Sequence, residues 1–102
     1  MLIKNIKMKT KPTCDTYPDG TKEWYLNGKL HREDGPAIEY ANGSKAWWLN
    51  GKLHREDGPA IERASGNKTW FLNNIRYSEP DFYRRLYKLG KITKEELFIK
   101  LL

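Results

Sequence analysis

The sequence predicts an α+β protein in which a sheet of antiparallel β-hairpin repeats is followed by a C-terminal helical hairpin. The first reason is a duplication, since residues 20–42 and 43–65 are identical at 18 of their 23 positions. The second reason is that each copy places an Asn-Gly pair between strand-forming residues. The third is that the apolar spacing after residue 77 changes to the three- and four-residue spacing of helices.

The Asn-Gly pairs at 27–28 and 50–51 predict tight hairpins, because both residues accept the positive φ angles of a type I′ turn. A period of this size is typical of stacked units that bury their apolar faces against their neighbours. A third copy begins at Gly66 and loses the pattern after Asn74. We expect a strand into the turn, a return strand and a linking strand, at 22–26, 29–32 and 37–40, and again at 45–49, 52–55 and 60–63.

Three segments are expected within one compact domain: an N-terminal basic segment or strand over 1–15, hairpin repeats over 16–77, and a helical segment over 78–102. Residues 16–20 align with 39–43, which indicates a worn repeat before the first full copy.

Two helix starts are predicted at Ser78 and Thr93, because Asp81 and Glu96 lie three residues beyond these N-caps. Gly90 is a suitable stop for the first helix. The apolar stripe of that helix is expected to contain Phe82, Leu86 and Leu89. We expect the helical hairpin either to cover the end of the sheet or to form the seam of a homodimer.

Aromatic residues are predicted on both faces of the sheet, because neighbouring residues of a strand point to opposite sides. The first ladder is Trp24, Trp47 and Trp70, and the second ladder is Tyr25, Trp48 and Phe71. Within the hairpin, Tyr25 should lie opposite Leu30 and Trp24 opposite His31. We favour the first ladder as core, and we expect the other face to be covered by the helices, a second protomer or a ligand.

The net charge of +6 lies outside the repeats, because residues 20–65 carry seven basic and seven acidic residues. This distribution disfavours nucleic-acid binding by the repeats themselves, and a solvated basic surface is the simpler interpretation. One cysteine and two histidines make neither a disulfide nor a zinc pattern, so we expect no metal or cofactor. Without a signal-like or membrane-spanning apolar run, we expect the protein in the cytoplasm.

The most reactive-looking element is the His-Arg-Glu-Asp box, at 31–34 and again at 54–57. A histidine beside a carboxylate is a possible general acid–base pair. Strand alternation separates His31 from Arg32, however, and an identical box in both copies is unlike a single catalytic site. We therefore expect no catalytic residue, with His packing on a Trp and with Arg and Asp bracing the Gly-Pro turn.

The repeat resembles the MORN-variant family of short β-hairpin repeats, which carry Trp-aromatic-Leu-Asn-Gly followed by His-Arg-x-Asp-Gly-Pro-Ala. Both full copies match, at 24–28 with 31–37 and at 47–51 with 54–60, whereas the third copy departs from the pattern at Asn74. The resemblance implies a binding scaffold in a small accessory protein of bacteria or their phages. Such proteins include inhibitors of host defence, among them anti-CRISPR proteins, and sponges for nucleotide signals.

The predicted function is a non-enzymatic, phage-encoded inhibitor that binds a host or bacterial defence protein, or a protein–nucleic-acid complex. The expected contact residues are aromatic anchors of the second ladder and nearby basic groups, namely Tyr25, Trp48, Phe71, Arg63, Arg84, Arg85 and Lys88. The main alternative is a sponge that stacks a nucleotide messenger on its aromatics. A structural scaffold, a nucleic-acid binder and a hydrolase using the box are weaker alternatives.

Overall fold

Short antiparallel strands followed by two helices form the chain in the computed structural model, which describes residues 9–102. The strands are β1 (Thr13–Thr16), β2 (Lys22–Leu26), β3 (Lys29–Leu30), β4 (Ile38–Glu39), β5 (Lys45–Ala46), β6 (Trp48–Leu49), β7 (Lys52–Leu53), β8 (Ile61–Glu62), β9 (Lys68–Leu72) and β10 (Ile75–Tyr77). The helices are α1 (Glu79–Lys88) and α2 (Lys94–Leu101). The predicted α+β fold, a hairpin sheet with a C-terminal helical hairpin, is confirmed.

The main sheet runs in the order β1-β2-β4-β5-β8-β9-β10, with β3 beside β2, and β6 and β7 pair separately. Each unit bends at its first-ladder Trp, where the strand changes partner. The Trp47 amide donates to Ala60 O at 2.7 Å, and Trp47 O accepts from the His54 amide at 3.1 Å. The predicted continuous strand 45–49 is observed as two strands, β5 and β6, with different neighbours, whereas β2 also pairs with β1 from Lys22 to Tyr25 and stays continuous.

The hairpin turns have the predicted geometry. Asn27 and Gly28 have φ angles of 51° and 82°, and the pair at 50–51 repeats this conformation. The third turn uses Asn73 and Asn74, also at positive φ, since Asn adopts this conformation more readily than most side chains. Tyr25 lies opposite Leu30, and the His31 amide donates to Trp24 O, so the predicted register is confirmed.

Hydrogen bonds connect each hairpin to the next one along the chain. The Gly51 amide donates to Leu30 O at 2.9 Å, and the Arg32 amide donates to Trp48 O at 3.1 Å. Before the first full unit, the Asn27 side chain bonds both the amide and the carbonyl of Lys9. The hairpins therefore form a continuous stack in which each unit is supported by its neighbours.

The turn between units occurs three times with the same bonds. The Gly43 amide donates to Tyr40 O, as Gly66 does to Arg63 O and as Gly20 does to Tyr17 O. The third instance supports a worn repeat ahead of the first full copy. Residues 1–8 of the predicted N-terminal segment lie outside the described residues.

The helical hairpin packs against the last hairpin of the sheet. Ser78 caps α1, and Thr93 and Glu96 form the predicted capping box of α2. The main apolar cluster lies where α1 meets the sheet, and it contains Leu72, Phe82, Tyr83 and Leu86, bordered by Trp70, Tyr77, Ile92 and Leu97. Leu89, which was expected in the apolar stripe, is 48% exposed because it follows the last residue of the helix. The helices thus cover the end of the first ladder.

Candidate binding groove

The box is held together by its arginine in the first unit. The Arg32 guanidinium lies 3.9 Å from the centroid of the Trp24 ring, within range of a cation–π interaction. It donates to Asp34 Oδ1 at 2.9 Å, to Pro36 O at 3.2 Å and to Glu39 Oε2 at 3.1 Å. The bond from Arg32 holds the pKa of the Asp34 carboxyl below its ordinary value.

The second unit repeats this arrangement through Arg55. Its guanidinium lies 3.8 Å from the Trp47 centroid and donates to Asp57, to Pro59 O and to Glu62. A glycine is needed in the following turn because a Cβ at Gly58 would lie only 2.9 Å from Arg55 Cζ. The Asp-Gly-Pro sequence therefore leaves room for an arginine that closes the unit.

The histidine has a different structural role from the one predicted. Arginine, rather than histidine, stacks on the Trp ring, and the histidine bonds the turn of the next unit. The Asn50 amide donates to His31 Nδ1 at 2.9 Å, so Nδ1 is unprotonated and Nε2 carries the hydrogen. His54 accepts from Asn73 in the same way, and its Nε2 lies 3.1 Å from Glu56 Oε2.

A groove of about 690 Å³ lies between the two boxes. Its charged lining pairs within the scaffold, as Arg55 does with Asp57 and as His54 does with Glu56. The groove also borders Trp47 of the first ladder, whose ring is covered by Arg55. Because these charged groups already pair with one another, the groove offers few free polar groups to a ligand.

A second groove, of about 490 Å³, lies on the opposite face of the sheet and is lined by residues within 40–65, at the end of the first copy and in the second copy. Trp48 lines this groove whereas its neighbour Trp47 lines the first, as strand alternation requires. Ala46, Ile61 and Leu53 supply apolar lining. We call this space the Trp48 groove.

The Trp48 groove collects the positions at which the two full repeats differ. The five differing pairs are Thr21/Ser44, Glu23/Ala46, Tyr25/Trp48, Tyr40/Arg63 and Asn42/Ser65. Each pair contributes at least one residue to the lining of this groove. Residues that build the unit are the same in both copies, so the residues free to change are concentrated on one surface.

Aromatic and basic groups give the Trp48 groove its chemistry. Tyr40 is 45% exposed, Trp48 is half-buried, and Arg63 is exposed. Arg63 Nη1 donates to Thr69 Oγ1 at 3.0 Å, which directs the guanidinium towards β9. Arg63 is the charged residue in the lining, so the groove has a positive character.

The first unit holds a carboxylate in the equivalent place. Glu23 Oε1 accepts from Tyr17 Oη at 2.7 Å and from Tyr25 Oη at 2.9 Å. The bond to Glu23 raises the pKa of Tyr17 to about 12 and also raises the pKa of Tyr25. Tyr25, a predicted contact residue, therefore already has a partner within its own unit.

Of the predicted contact residues, Trp48 and Arg63 come together in the Trp48 groove. Tyr25 and Phe71 belong to the units on either side. The basic residues Arg84, Arg85 and Lys88 lie exposed on α1, outside the groove lining, and Arg84 pairs with Asp81.

Sequence reasoning did not single out Ala46, Ser44, Asn42 and Ser65 as lining residues. Each of them is a member of one of the five differing pairs, so a position-by-position comparison of the two copies was the signal that could have found them.

Residues 9–102 contain no group of three or more potential metal ligands among their His, Cys, Asp and Glu side chains. Neither helix of this described part is long and apolar enough to cross a membrane. Phe98 and Ile99 of α2 are exposed, and the homodimer remains a prediction.

Comparison with family models, curated proteins and solved structures gives no significant match to this chain.

Proposed function

We propose that this chain is a non-enzymatic binding protein that holds a partner protein against the Trp48 groove. The observation that carries the proposal is that each of the five differing pairs of the repeat supplies at least one residue to the lining of one groove. Trp, Tyr and Arg are the residues in which interface energy concentrates, and the groove presents one of each at Trp48, Tyr40 and Arg63.

The use of the box inside the scaffold supports a binding role over a catalytic one. His31 and Arg32 are both engaged in bonds that join strands, turns and units. A general base must reach a substrate proton, whereas His31 is 7% exposed and its Nδ1 is occupied by the Asn50 amide.

Within this proposal the protein is a phage-encoded inhibitor, and the partner is a bacterial defence protein or a protein–nucleic-acid complex. The resemblance of the repeats to the MORN-variant pattern supports this narrower form. The excess positive charge after residue 65 also supports it, since Arg85 and Lys88 on α1 would speed encounter with an acidic or nucleic-acid-laden target.

Affinity capture from bacterial lysate tests the proposal, followed by calorimetric titration of the recovered protein. Trp48→Ala should weaken binding by about 30-fold, roughly 2 kcal/mol, because a central aromatic anchor is lost. Tyr87→Ala is the matched control, since Tyr87 is an exposed aromatic residue on α1 outside the groove lining. Circular dichroism confirms that both variants fold. A partner that binds Trp48→Ala and the parent protein equally would contradict the proposal.

The second candidate is a nucleotide sponge, which is favoured by two aromatic rings and an arginine bordering one groove. A ligand bound only by the folded protein raises its apparent stability. Thermal unfolding with a panel of cyclic and linear nucleotides separates the two functions. A protein binder shows no shift, whereas a sponge shows a shift that Trp48→Ala removes.

A further inference from the structure

One row of cross-strand partners crosses the sheet and contains the equivalent residue of each unit. Glu23, Ile38, Ala46, Ile61 and Thr69 are successive cross-strand partners over β2, β4, β5, β8 and β9. The first, third and fifth members of this row occupy the same position of three consecutive units. They are glutamate, alanine and threonine, so one position has three different side chains on one continuous surface.

In the first unit this position is occupied by a carboxylate, that of Glu23. Glu23 reaches the hydroxyls of Tyr17 and Tyr25, both of which donate to a single carboxylate oxygen. Both phenols are near enough to hydrogen-bond the carboxylate, so this unit has a carboxylate-binding corner complete within its own chain.

The second unit keeps part of this corner and lacks the carboxylate. Tyr40 stands where Tyr17 does, Trp48 where Tyr25 does, and Ala46 where Glu23 does. Ala46 is one of the residues that line the Trp48 groove, and its side chain is a single methyl group that is itself 4% exposed. Within residues 9–102 the Tyr40 hydroxyl donates to no side chain, unlike that of Tyr17.

Near the end of the second copy, Arg63 adds a positive charge beside the same opening. Arg63 replaces the tyrosine of this position, and one of its nitrogens donates to Thr69 Oγ1. A guanidinium carries five N–H donors, so this bond leaves others available to an anion. Within the described residues 9–102, no acidic side chain lines the groove to compensate this charge.

We propose that the Trp48 groove binds the carboxylate of an aspartate or glutamate side chain of a partner protein, in the place that Glu23 occupies in the first unit. This inference rests on the proposed function. The Tyr40 hydroxyl and the Arg63 guanidinium are the donors, and a charge-assisted bond from each is stronger than a neutral one. Trp48, Ile61 and Leu53 offer apolar contact to the methylene carbons that precede the carboxylate.

An acidic side chain fits this place better than a phosphate does. The corner of the first unit offers two phenolic donors to one carboxylate oxygen, and the walls of the Trp48 groove include four aliphatic side chains. A phosphate has three acceptor oxygens, and arginine clusters or helix N-termini are its usual sites, whereas this groove supplies one arginine.

The test is an NMR titration of the full chain, following the indole N–H signal of Trp48. The probes are the blocked peptide acetyl-Gly-Glu-Gly-amide, its Gln counterpart and its phosphoserine counterpart. We expect the Glu peptide to shift the Trp48 signal at millimolar concentration and the Gln peptide to leave it in place. Equal shifts with Glu and Gln, no shift with Glu, or tighter binding of phosphoserine than of Glu would overturn the assignment.

Two substitutions locate the donors. Arg63→Leu and Tyr40→Phe should each weaken binding of the Glu peptide by about tenfold or more, the loss expected for a charge-assisted hydrogen bond. Tyr17→Phe is the matched control, because it removes the equivalent hydroxyl from the first unit and should leave the affinity unchanged. If neither groove variant weakens binding, the carboxylate lies elsewhere and the inference fails.

A third substitution separates this inference from the proposed function. Ala46→Glu restores a carboxylate to the second unit and should compete with the partner's side chain, so that both the peptide and a captured partner protein are lost. Capture that survives Ala46→Glu yet is abolished by Trp48→Ala would overturn the carboxylate assignment and leave the binding function standing. A Trp48 shift with the Glu peptide, together with no partner from any lysate, would contradict the function and support the site.

Discussion

The second-ladder face carries a different side chain at the equivalent position of each unit, namely Glu23, Ala46 and Thr69. Glu23 fills its corner with a carboxylate held by two phenols, whereas Ala46 leaves the equivalent corner open. Thr69 offers a hydroxyl that accepts from Arg63. The corners of the first two units differ at Glu23/Ala46 and at Tyr25/Trp48, so two substitutions distinguish a corner filled by a carboxylate from a groove.

The Tyr17–Glu23 pair makes the protein sensitive to alkaline pH. The bond to Glu23 raises the pKa of Tyr17 to about 12, above the ordinary value of 10.0, and it also raises the pKa of Tyr25. A raised folded-state pKa stabilises the protein below the unfolded value and loses that contribution as pH rises through the folded value. The stabilisation should therefore disappear between pH 10.0 and about 12.

Spectrophotometric titration of tyrosinate absorbance checks this expectation. Glu23→Gln should shift part of the titration to lower pH, since its amide no longer favours the protonated phenols by charge. Tyr87→Phe removes a tyrosine outside this pair, so the part of the titration that occurs near the raised pKa of Tyr17 should remain. An unchanged curve for Glu23→Gln would show that the carboxylate does not hold the phenols.

At the scale of the element, the repeat unit is a hairpin closed by its arginine. The Arg32 guanidinium covers the ring of Trp24. The same guanidinium joins the return loop to the strand through Asp34 and Glu39. The unit therefore depends on a planar, forked cation that lysine cannot imitate.

Arg55→Lys should destabilise the protein by about 1 to 3 kcal/mol, because the stack on Trp47 and the forked hydrogen bonds are lost together. Urea unfolding at neutral pH measures the change in free energy of unfolding. Arg84→Lys is the matched control, since Arg84 forms an exposed pair with Asp81 and should change stability by less than about 0.5 kcal/mol. Equal effects of the two substitutions would show that the contacts of Arg55 contribute no more stability than an ordinary surface ion pair.

Features that depend on local chemistry could be predicted from the sequence. Asn27 and Gly28 specify the turn, and Ser78 and Thr93 specify the helix starts, since each acts on groups within three residues of itself. The division of the strand at Trp47 was not predicted, because it depends on which strands pair with each half.

The candidate site was predicted in part. Trp48 and Arg63 attract attention by their own chemistry, and they do lie together. Ala46 has no reactive group, and its role is to leave volume unoccupied between other side chains. The contact of histidine with the next turn was also missed, since it joins His31 to Asn50, in a different unit.

At the scale of the whole molecule, the chain is a slab of 54 × 40 × 19 Å with its main apolar cluster at one end. The cluster around Phe82 and Leu86 fixes the helices to the last hairpin, and the units before it are joined by hydrogen bonds and by buried small apolar residues such as Ala37 and Ala60. Stability should therefore be close to a sum over units and their contacts.

Removal of one complete period should preserve this architecture. Deletion of residues 46–68 joins Lys45 to Thr69 and keeps the strand, turn and helical cap in phase, since 23 residues are lost. We expect a cooperative unfolding transition. The free energy of unfolding should depend less steeply on urea concentration than in the parent protein, because less surface is buried on folding.

The matched control is deletion of residues 47–68, which removes one residue fewer. It shifts the strand by one position and exchanges the residues of its two faces. Circular dichroism and urea unfolding distinguish the outcomes, and a cooperative transition of equal midpoint in both deletions would contradict a stack defined by its period.

The hydrogen bond from each histidine to the next turn has a consequence for how many units can join. A stack in which every unit offers an acceptor to its successor is a head-to-tail interface, and such an interface continues between molecules as an open filament unless both ends are blocked. Here Tyr77 and Ser78 replace His and Arg in the last unit, and α1 begins directly after them. At the other end, Lys9 occupies the side chain of Asn27. The substitutions that end the repeat therefore keep the contacts between units within one chain. The number of stacked units is fixed, and the side of the stack that holds the Trp48 groove remains available to a partner.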